Sequence, residues 1–365
     1  MMSNVTYKKF DDCIESVKYT TKLQSKDFLP EGKYPIISQE EDLISGYWNN
    51  DNDVFHAPRP LVIFGDHTRV LKYVDFDFVL GADGVKILLP TEDIMAKYLL
   101  YYLKWYNIPS LGYSRHFKLL RDISVPVPSL EDQQRIVREL DTIHAILDAK
   151  NEQLRELDKL AQAIFYHMFG DPLINEMGWD VKKIGEVGQV ITGSTPATKD
   201  PLNYASKDIC FYKPSDFETS SCSKLPSAEY YISQYAYERS RKLSKGSVLT
   251  TCIGIIGKVG ILNEDATCNQ QINAIVPNEE IISSWYLGYT ILLLKPLLEA
   301  AANAPVVPLL NKTQFSYITL PLPPLDLQQA FASKITAIEQ QKELIRASIA
   351  ETEALLAARM QYYFD

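Results

Sequence analysis

The feature that most constrains this chain is that it repeats itself. Residues Ile123–Phe169 match Ile318–Phe364 at a constant offset of 195, without a gap. ISVPVPSLEDQQ lies over ITLPLPPLDLQQ, so Pro126, Pro128, Leu130 and Gln133-Gln134 recur as Pro321, Pro323, Leu325 and Gln328-Gln329. Farther along, Ile143, Glu156 and Phe169 recur as Ile338, Glu351 and Phe364. A weaker match runs at offset 187, where GVKILLPTEDIMAKYLLYY (84–102) lies over QINAIVPNEEIISSWYLGY (271–289). In both copies an apolar strand ends at a proline. An acidic first turn, Glu92-Asp93 or Glu279-Glu280, is then expected to open a helix rich in Tyr, Leu and Trp. The order is block, helix, block, helix, with the two large blocks as diverged copies of one domain.

The segments after the prolines are helical by period. In the first, apolar residues fall at Ile136, Leu140, Ile143, Leu147, Leu154, Leu157, Ala161, Ile164 and Met168, with Lys150 filling the gap. Steps of four and three alternate, which is a heptad seam. The second copy keeps the register with Phe331, Ile335, Ile338, Lys342, Ile345, Ile349, Thr352, Leu356, Arg359 and Tyr363. Ser129 with Asp132 three residues on is an N-terminal capping signal. About 40 residues at 1.5 Å each give helices roughly 60 Å long. Periodicity alone does not name the partner of a seam, and a plain coiled-coil scaffold or a homodimer zipper has the same pattern. Two seams in one register within one chain favour each other. Packed antiparallel, they make a rod with a block at each end, related by a pseudo-twofold axis.

The blocks read as strand-rich domains with one good helix each, an α+β class. Strands are expected at Tyr34–Ile37, Pro60–Phe64, Val70–Val74 and Gly84–Leu89, and again at Ile209–Lys213, Ser247–Thr251, Val259–Leu262 and Gln271–Val276. Turns carry Gly65-Asp66, Gly81-Ala82-Asp83-Gly84, Gly254 and Gly257. The resulting division is 1–128, 129–171, 172–323 and 324–365. Ile281–Leu294 is uncharged but too short to span a bilayer, so it reads as a buried helix. No signal peptide opens the sequence. Five cysteines without a CxxC pair suit neither a structural zinc site nor a secreted disulfide framework, and point to reduced thiols in the cytoplasm.

A net charge of −9 argues at first against nucleic acid. Its distribution changes that reading. Basic and acidic residues nearly balance in 1–128 (15 against 17) and in 172–323 (13 against 14), while 129–171 carries 5 against 9 and 324–365 carries 4 against 6. The excess acid is concentrated in the helices, and a neutral block has room for a basic face.

Catalytic motifs are missing. There is no Asp-Pro-Pro-Tyr or Asn-Pro-Pro-Phe, no GxSxG and no HExxH. Gly254-Ile255-Ile256-Gly257-Lys258-Val259 fails as a P-loop because Cys252 and Val259 stand at the required Gly and Ser/Thr. His56, His67, His116, His144 and His167 are scattered, and the last two sit on the first long helix as solvated or interface residues. What remains is polar and basic side chains in loops beside strands. In block one these are Arg59, His67, Thr68, Arg69, Lys72, Ser114, Arg115 and His116. In block two they are Ser194, Thr195, Lys199, Arg239, Arg241, Lys242, Lys258, Asn269, Gln270 and Gln271. Arg forks read guanine, Asn and Gln amides read adenine, and Lys, Ser and Thr reach phosphates, whereas any one of them alone is more often a solvated surface residue.

Paired divergent blocks, each closing in a Pro-x-Pro-x-Leu-x-x-Gln-Gln helix, resemble the specificity subunit of a type I restriction-modification system. Ile63-Phe64-Gly65-Asp66-His67-Thr68-Arg69 and Ala82-Asp83-Gly84-Val85 are similar to one class of target-recognition domain. Trp179, Thr192-Gly193-Ser194-Thr195-Pro196 and Gly257-Lys258-Val259-Gly260 resemble another. The resemblance implies two target-recognition domains, each reading half of a split double-stranded DNA sequence, separated by antiparallel helices that set the unread gap. It implies docking of two modification (methyltransferase) subunits, and of restriction (motor nuclease) subunits in the larger complex. Catalysis would reside in those partners, with S-adenosylmethionine, ATP and magnesium, and this chain would bind no cofactor. A specificity subunit of a fused nuclease-methyltransferase system has the same pattern. A scaffold that binds no DNA explains the rods but not the matched blocks. The chain stops at Asp365, close behind the second helix, which leaves open whether the termini pack together.

Overall fold

A computed structural model describes residues 5–81, 84–112, 114–218, 221–302 and 307–365, so Ala82 and Asp83 of the expected Gly81–Gly84 turn lie outside the described residues. Two compact units emerge, Met1–Ala149 with Ser348–Asp365, and Lys150–Ala347. Each takes part of both long helices.

In the first unit the chain runs through strands β1 (Thr6–Lys9), β2 (Ile14–Glu15), β3 (Leu61–Gly65), β4 (Leu71–Val74) and β5 (Val85–Pro90), helix α1 (Ala96–Tyr106), strand β6 (Ser124–Val127) and the start of helix α2 (Leu130–Phe169). An antiparallel sheet has the order β2-β5-β3-β4. Every residue of β3 is buried, as its unbroken apolar run requires. A second sheet of mixed direction joins Lys22–Leu23, Phe78–Gly81, Tyr34–Ile37 and Gly46–Trp48. The core includes Phe10, Phe64, Tyr98, Leu99, Ile136 and Leu140. Residues near the C-terminus complete it, for Phe364 sits 5.6 Å from the Tyr98 ring, 5.7 Å from Tyr102 and 5.9 Å from Trp105.

The second unit repeats the plan. Strands β7 (Asp180–Lys183), β8 (Gly188–Thr192), β9 (Cys222–Lys224), β10 (Val248–Thr251), β11 (Val259–Ile261) and β12 (Ile272–Pro277) precede helix α3 (Ser284–Leu293), strand β13 (Thr319–Leu322) and helix α4 (Leu325–Phe364). The sheet order is β8-β12-β10-β11-β9, antiparallel except where β9 meets β11. Phe165 and Phe169, late in α2, pack on Tyr286 of α3 at 5.6 and 4.8 Å and on Phe331 of α4 at 5.5 and 5.4 Å. Asp158 faces Lys342, so within this unit the two helices run antiparallel. Lys342 is a fully buried cation in the seam, bonded to Asp158 at 2.7 Å and Glu339 at 2.8 Å. The two carboxylates hold it protonated, while burial raises the Glu339 carboxyl.

The repeated Pro/Gln-Gln signature has a mechanical reason. Gln133 is buried, and its amide accepts from Met95 N at 2.8 Å and donates to Asp93 O and Pro128 O at 2.8 and 2.9 Å. Gln328 makes the same three bonds to Ser283 N, Ile281 O and Pro323 O at 2.9, 3.3 and 2.8 Å. Tyr98 donates to Pro126 O, and Tyr286 to Pro321 O. These clamps satisfy buried backbone groups where strand turns into helix. The second glutamines, Gln134 and Gln329, are exposed.

The expected strands are present, each with ends displaced by no more than a residue. Two local expectations change, and both helix histidines fall within theirs. Glu92-Asp93 and Glu279-Glu280 precede α1 and α3 instead of forming their first turns, because five or six residues of turn follow each proline. The helix expected over Ile281–Leu294 begins at Ser284. His144 is half-buried and stacked on Tyr101 at 5.6 Å, whereas His167 is exposed. The Ser129 cap forms, with its hydroxyl accepting from Asp132 N.

Candidate nucleic-acid interface

Both units present a hairpin at the same end of the sheet. In the first, Gly65 N donates to Val70 O and Arg69 N to Gly65 O. In the second, Thr251 N donates to Lys258 O and Gly257 N to Thr251 O, so the same turn closes around six residues instead of four. The closing residue is left-handed in both, Arg69 at φ 65° and Gly257 at φ 81°. Asp66 N bonds to Gly84 O as Cys252 N bonds to Gln271 O. A later segment backs each hairpin, through His116 N to Asp66 O and Leu310 N to Cys252 O. Positions 66–69 with 114–116 therefore correspond to 252–257 with 308–310.

In the first unit this brings His67, Thr68, Arg69, Ser114, Arg115 and His116 together. The buried Asp66 is the organiser, since its carboxylate accepts from Phe117 N at 2.7 Å and its carbonyl meets the His116 ring at 2.9 Å. His116 is fully buried and its other ring nitrogen accepts from Leu111 N. It shapes the loop and offers no surface. Thr68 and Arg115 are exposed, while His67, Arg69 and Ser114 are half-buried. Arg69 spends one guanidinium nitrogen on Ile108 O at 2.8 Å. Beside it lies a cleft of about 280 Å³ lined by Thr68, Arg69, Leu103, Lys104 and Asn107.

Two block-one candidates sit elsewhere. Lys72 is buried, and its ammonium is held by Ser38 O and Asp42 O, pinning the loop between them; burial lowers its pKa. Arg59 lies at the opposite end of the sheet, paired with Glu15 and Pro90 O.

In the second unit the end of β8 meets the start of β12. Thr192 donates to the Asn273 amide oxygen at 2.6 Å, Thr195 to that of Gln270 at 2.7 Å, and Arg241 reaches Thr192 O at 2.6 Å. Gly193 permits this, because a Cβ there would stand 2.2 Å from Asn269 O and 2.3 Å from Cys268 O. Asn269 is buried and braces Gln271. Lys258 is half-buried with its ammonium toward Phe217 O and Pro214 O. Thr195, Lys199, Arg239, Arg241, Lys242 and Gln270 are exposed, and Ser194 and Gln271 half-buried. Arg239 lies on the short helix Gln234–Arg239, over the Tyr235 ring.

A second repeated feature went unread in the sequence. One cleft of about 230 Å³ is lined by Arg59, Pro60, Tyr73, Ile94, Met95 and Lys97. The other, about 350 Å³, is lined by the corresponding Lys245, Gly246, Ile261, Ile282, Ser283 and Trp285. Among the described residues no group of His, Cys, Asp and Glu is placed to hold a metal ion, and no helix is long and apolar enough to cross a membrane.

This duplicated arrangement has known counterparts. A family model for the type I restriction modification DNA specificity domain matches residues 2–159 and 176–354. The chain belongs to this family. It is a specificity subunit, the non-catalytic recognition component of a type I system. Among curated relatives, the EcoR124I/EcoR124II specificity subunit of Escherichia coli is 25% identical over 383 residues, covering 96% of this chain and 90% of the relative. A putative specificity subunit of Haemophilus influenzae is 24% identical, covering 100% and 94%. The solved specificity subunit from M. genitalium superposes with a TM-score of 0.62 at 14% identity, over 99% of this chain and 96% of that one. A chain from a structural study of type I complex assembly gives 0.56 at 16% identity, over 100% and 98%. At such identities the solved structures establish the fold.

Proposed function

We propose that residues 1–128 and 172–323 are the two target-recognition domains, each reading one half of a split double-stranded DNA sequence in the cytoplasm. The observation that carries this reading is the repeated hairpin with its backing segment, since two equivalent edges suit two half-sites. Thr68, Arg69 and Arg115 are the first domain's leading base or phosphate contacts. Thr195, Arg241, Lys242 and Gln270, with Lys199 and Arg239 nearby, are the second's. Lys72, His116 and Asn269 support these edges from beneath.

The long helices set the unread gap, and together with the paired clefts they offer two equivalent docking places for two modification subunits. Restriction subunits join the larger complex. S-adenosylmethionine, ATP and magnesium belong to those partners. The acidic helices suit protein contacts, and the near-neutral domains borrow phosphate affinity from the assembly.

Long-read modification mapping of DNA from cells expressing this chain with its modification partner tests the reading. A split motif methylated once on each strand is expected, and replacing 172–323 by another such domain changes one half only. If both halves change, or a partner active with another specificity subunit leaves no mark with this one, the reading fails.

A further inference from the structure

The two hairpins share a backbone plan and differ in chemistry. Where the first unit carries His67, Thr68 and Arg69, the second carries Ile253, Gly254, Ile255, Ile256 and Gly257, with Gly257 in the place of Arg69. Where the backing segment holds Ser114-Arg115-His116, its counterpart is Pro308-Leu309-Leu310. Ile255 is 58% exposed and Leu309 41% exposed, so the edge that is polar in one unit has an uncovered apolar tip in the other.

This tip is held firmly. Gly254 N bonds to Pro308 O, Leu310 N to Cys252 O, and Ile253 bridges Leu309. Lys258 N is fixed on the Thr251 hydroxyl, and Asn273 ties Leu310 O from below. Gly254 at φ 75° and Gly257 at φ 81° let the two additional residues project without strain. A large aliphatic side chain presented by a braced loop is pre-organised for contact, not awaiting collapse into the core.

We infer that the second domain reads a thymine through Ile255, backed by Leu309, packed on the base's C5 methyl group in the major groove. This rests on the recognition role proposed above and names the chemistry of one of its contacts. The thymine methyl is the one apolar group that a base pair displays in that groove. Thr195 and Gln270, linked to one another, and Arg241 supply hydrogen-bonding groups on the neighbouring strand ends. The first domain presents Thr68, Arg69 and Arg115 at this edge instead.

The test uses the chain assembled with its modification partner and duplexes carrying the mapped target. Each thymine of the second half-site is replaced in turn by deoxyuridine, which removes only the methyl group. One position should weaken binding about fourfold, the worth of one buried methyl. In Ile255→Ala the same replacement should have no further effect, while its affinity for the unmodified duplex falls by a similar factor. A half-site lacking A·T pairs, a scan in which no deoxyuridine weakens binding, or a sensitivity that survives in Ile255→Ala overturns the inference. The scan on the unsubstituted protein decides even if the variant fails to assemble. Where the complex binds the mapped target and a 172–323 exchange still moves this half-site, such a failure falls on the methyl contact alone. Where the complex does not bind, or the exchange leaves this half-site intact, the recognition role itself has failed and takes the inference with it.

Discussion

Replacing Gln328 by leucine isolates the clamp at the start of the second long helix. Leucine fills similar volume but leaves Ser283 N without its acceptor and Pro323 O without its donor, in a site from which solvent is excluded. Each buried group left unmet costs about 1–3 kcal/mol, and the apolar side chain recovers part of this, so a net loss of about 2–4 kcal/mol is expected. Gln329→Leu, one residue on and exposed, should stay within about 0.5 kcal/mol of the parent. Urea unfolding measures both, and hydrogen exchange locates the damage: the Ser283 amide loses protection in Gln328→Leu only. Gln133→Leu should reproduce the effect at the Met95 amide, leaving the second unit's amides unchanged. If Gln328→Leu costs less than 1 kcal/mol, or Gln329→Leu costs as much, the clamp is not what the repeated glutamines are for.

Lys342→Met should destabilise by about 3–5 kcal/mol because it strands the buried Glu339 carboxylate. Glu339→Gln costs less, since Asp158 still balances the ammonium, and thermal unfolding ranks the two. All five cysteines are buried, and burial pushes the Cys13 thiol up to about 11 and the Cys252 thiol up to about 12. Native protein at pH 8 should therefore resist alkylation. The unfolded chain ionises first, near pH 8.5, so the thiols' contribution to stability is full below that pH and is lost as it rises toward 11 to 12; urea midpoints across this range check the slope. Arg69→Ala should weaken specific binding by about 1–3 kcal/mol if its free guanidinium edge forks to a base, whereas an equal loss on all sequences marks a phosphate contact. Adding one heptad to both helices should lengthen the unread gap or abolish modification through lost phase. An unchanged gap with full activity would remove the helices from the role of spacer.

Much of this fold was legible because its signals are local or repeated. Apolar runs bounded by Gly and Pro gave β3, β5, β10 and β12, and the heptads gave α2 and α4. Pairing between distant segments was not legible. Nothing in the sequence shows that Asp66 anchors residues 116–117, or that Arg241 reaches Thr192. The equivalence of the hairpins was hidden by two additional residues, which break any gapless offset. Ile255 and Leu309 carry no local signal of exposure, because an isoleucine or leucine in a strand-rich segment reads as core. Lys72 had a readable signal: strand alternation puts it on the face of the buried Val74, where a lysine must bury its stem and find carbonyl acceptors.

The aromatic socket of Tyr98, Tyr102 and Trp105 that receives Phe364 also has a consequence in time. Residues through Ala149 leave the ribosome more than 200 residues before Phe364 does, which at about 5–20 residues per second is a delay of roughly 10–40 s. For that interval the nascent first unit carries an open greasy pocket, a natural client for a chaperone. A chain truncated before Ser348 lacks the segment that completes the first unit, so its pocket would stay open.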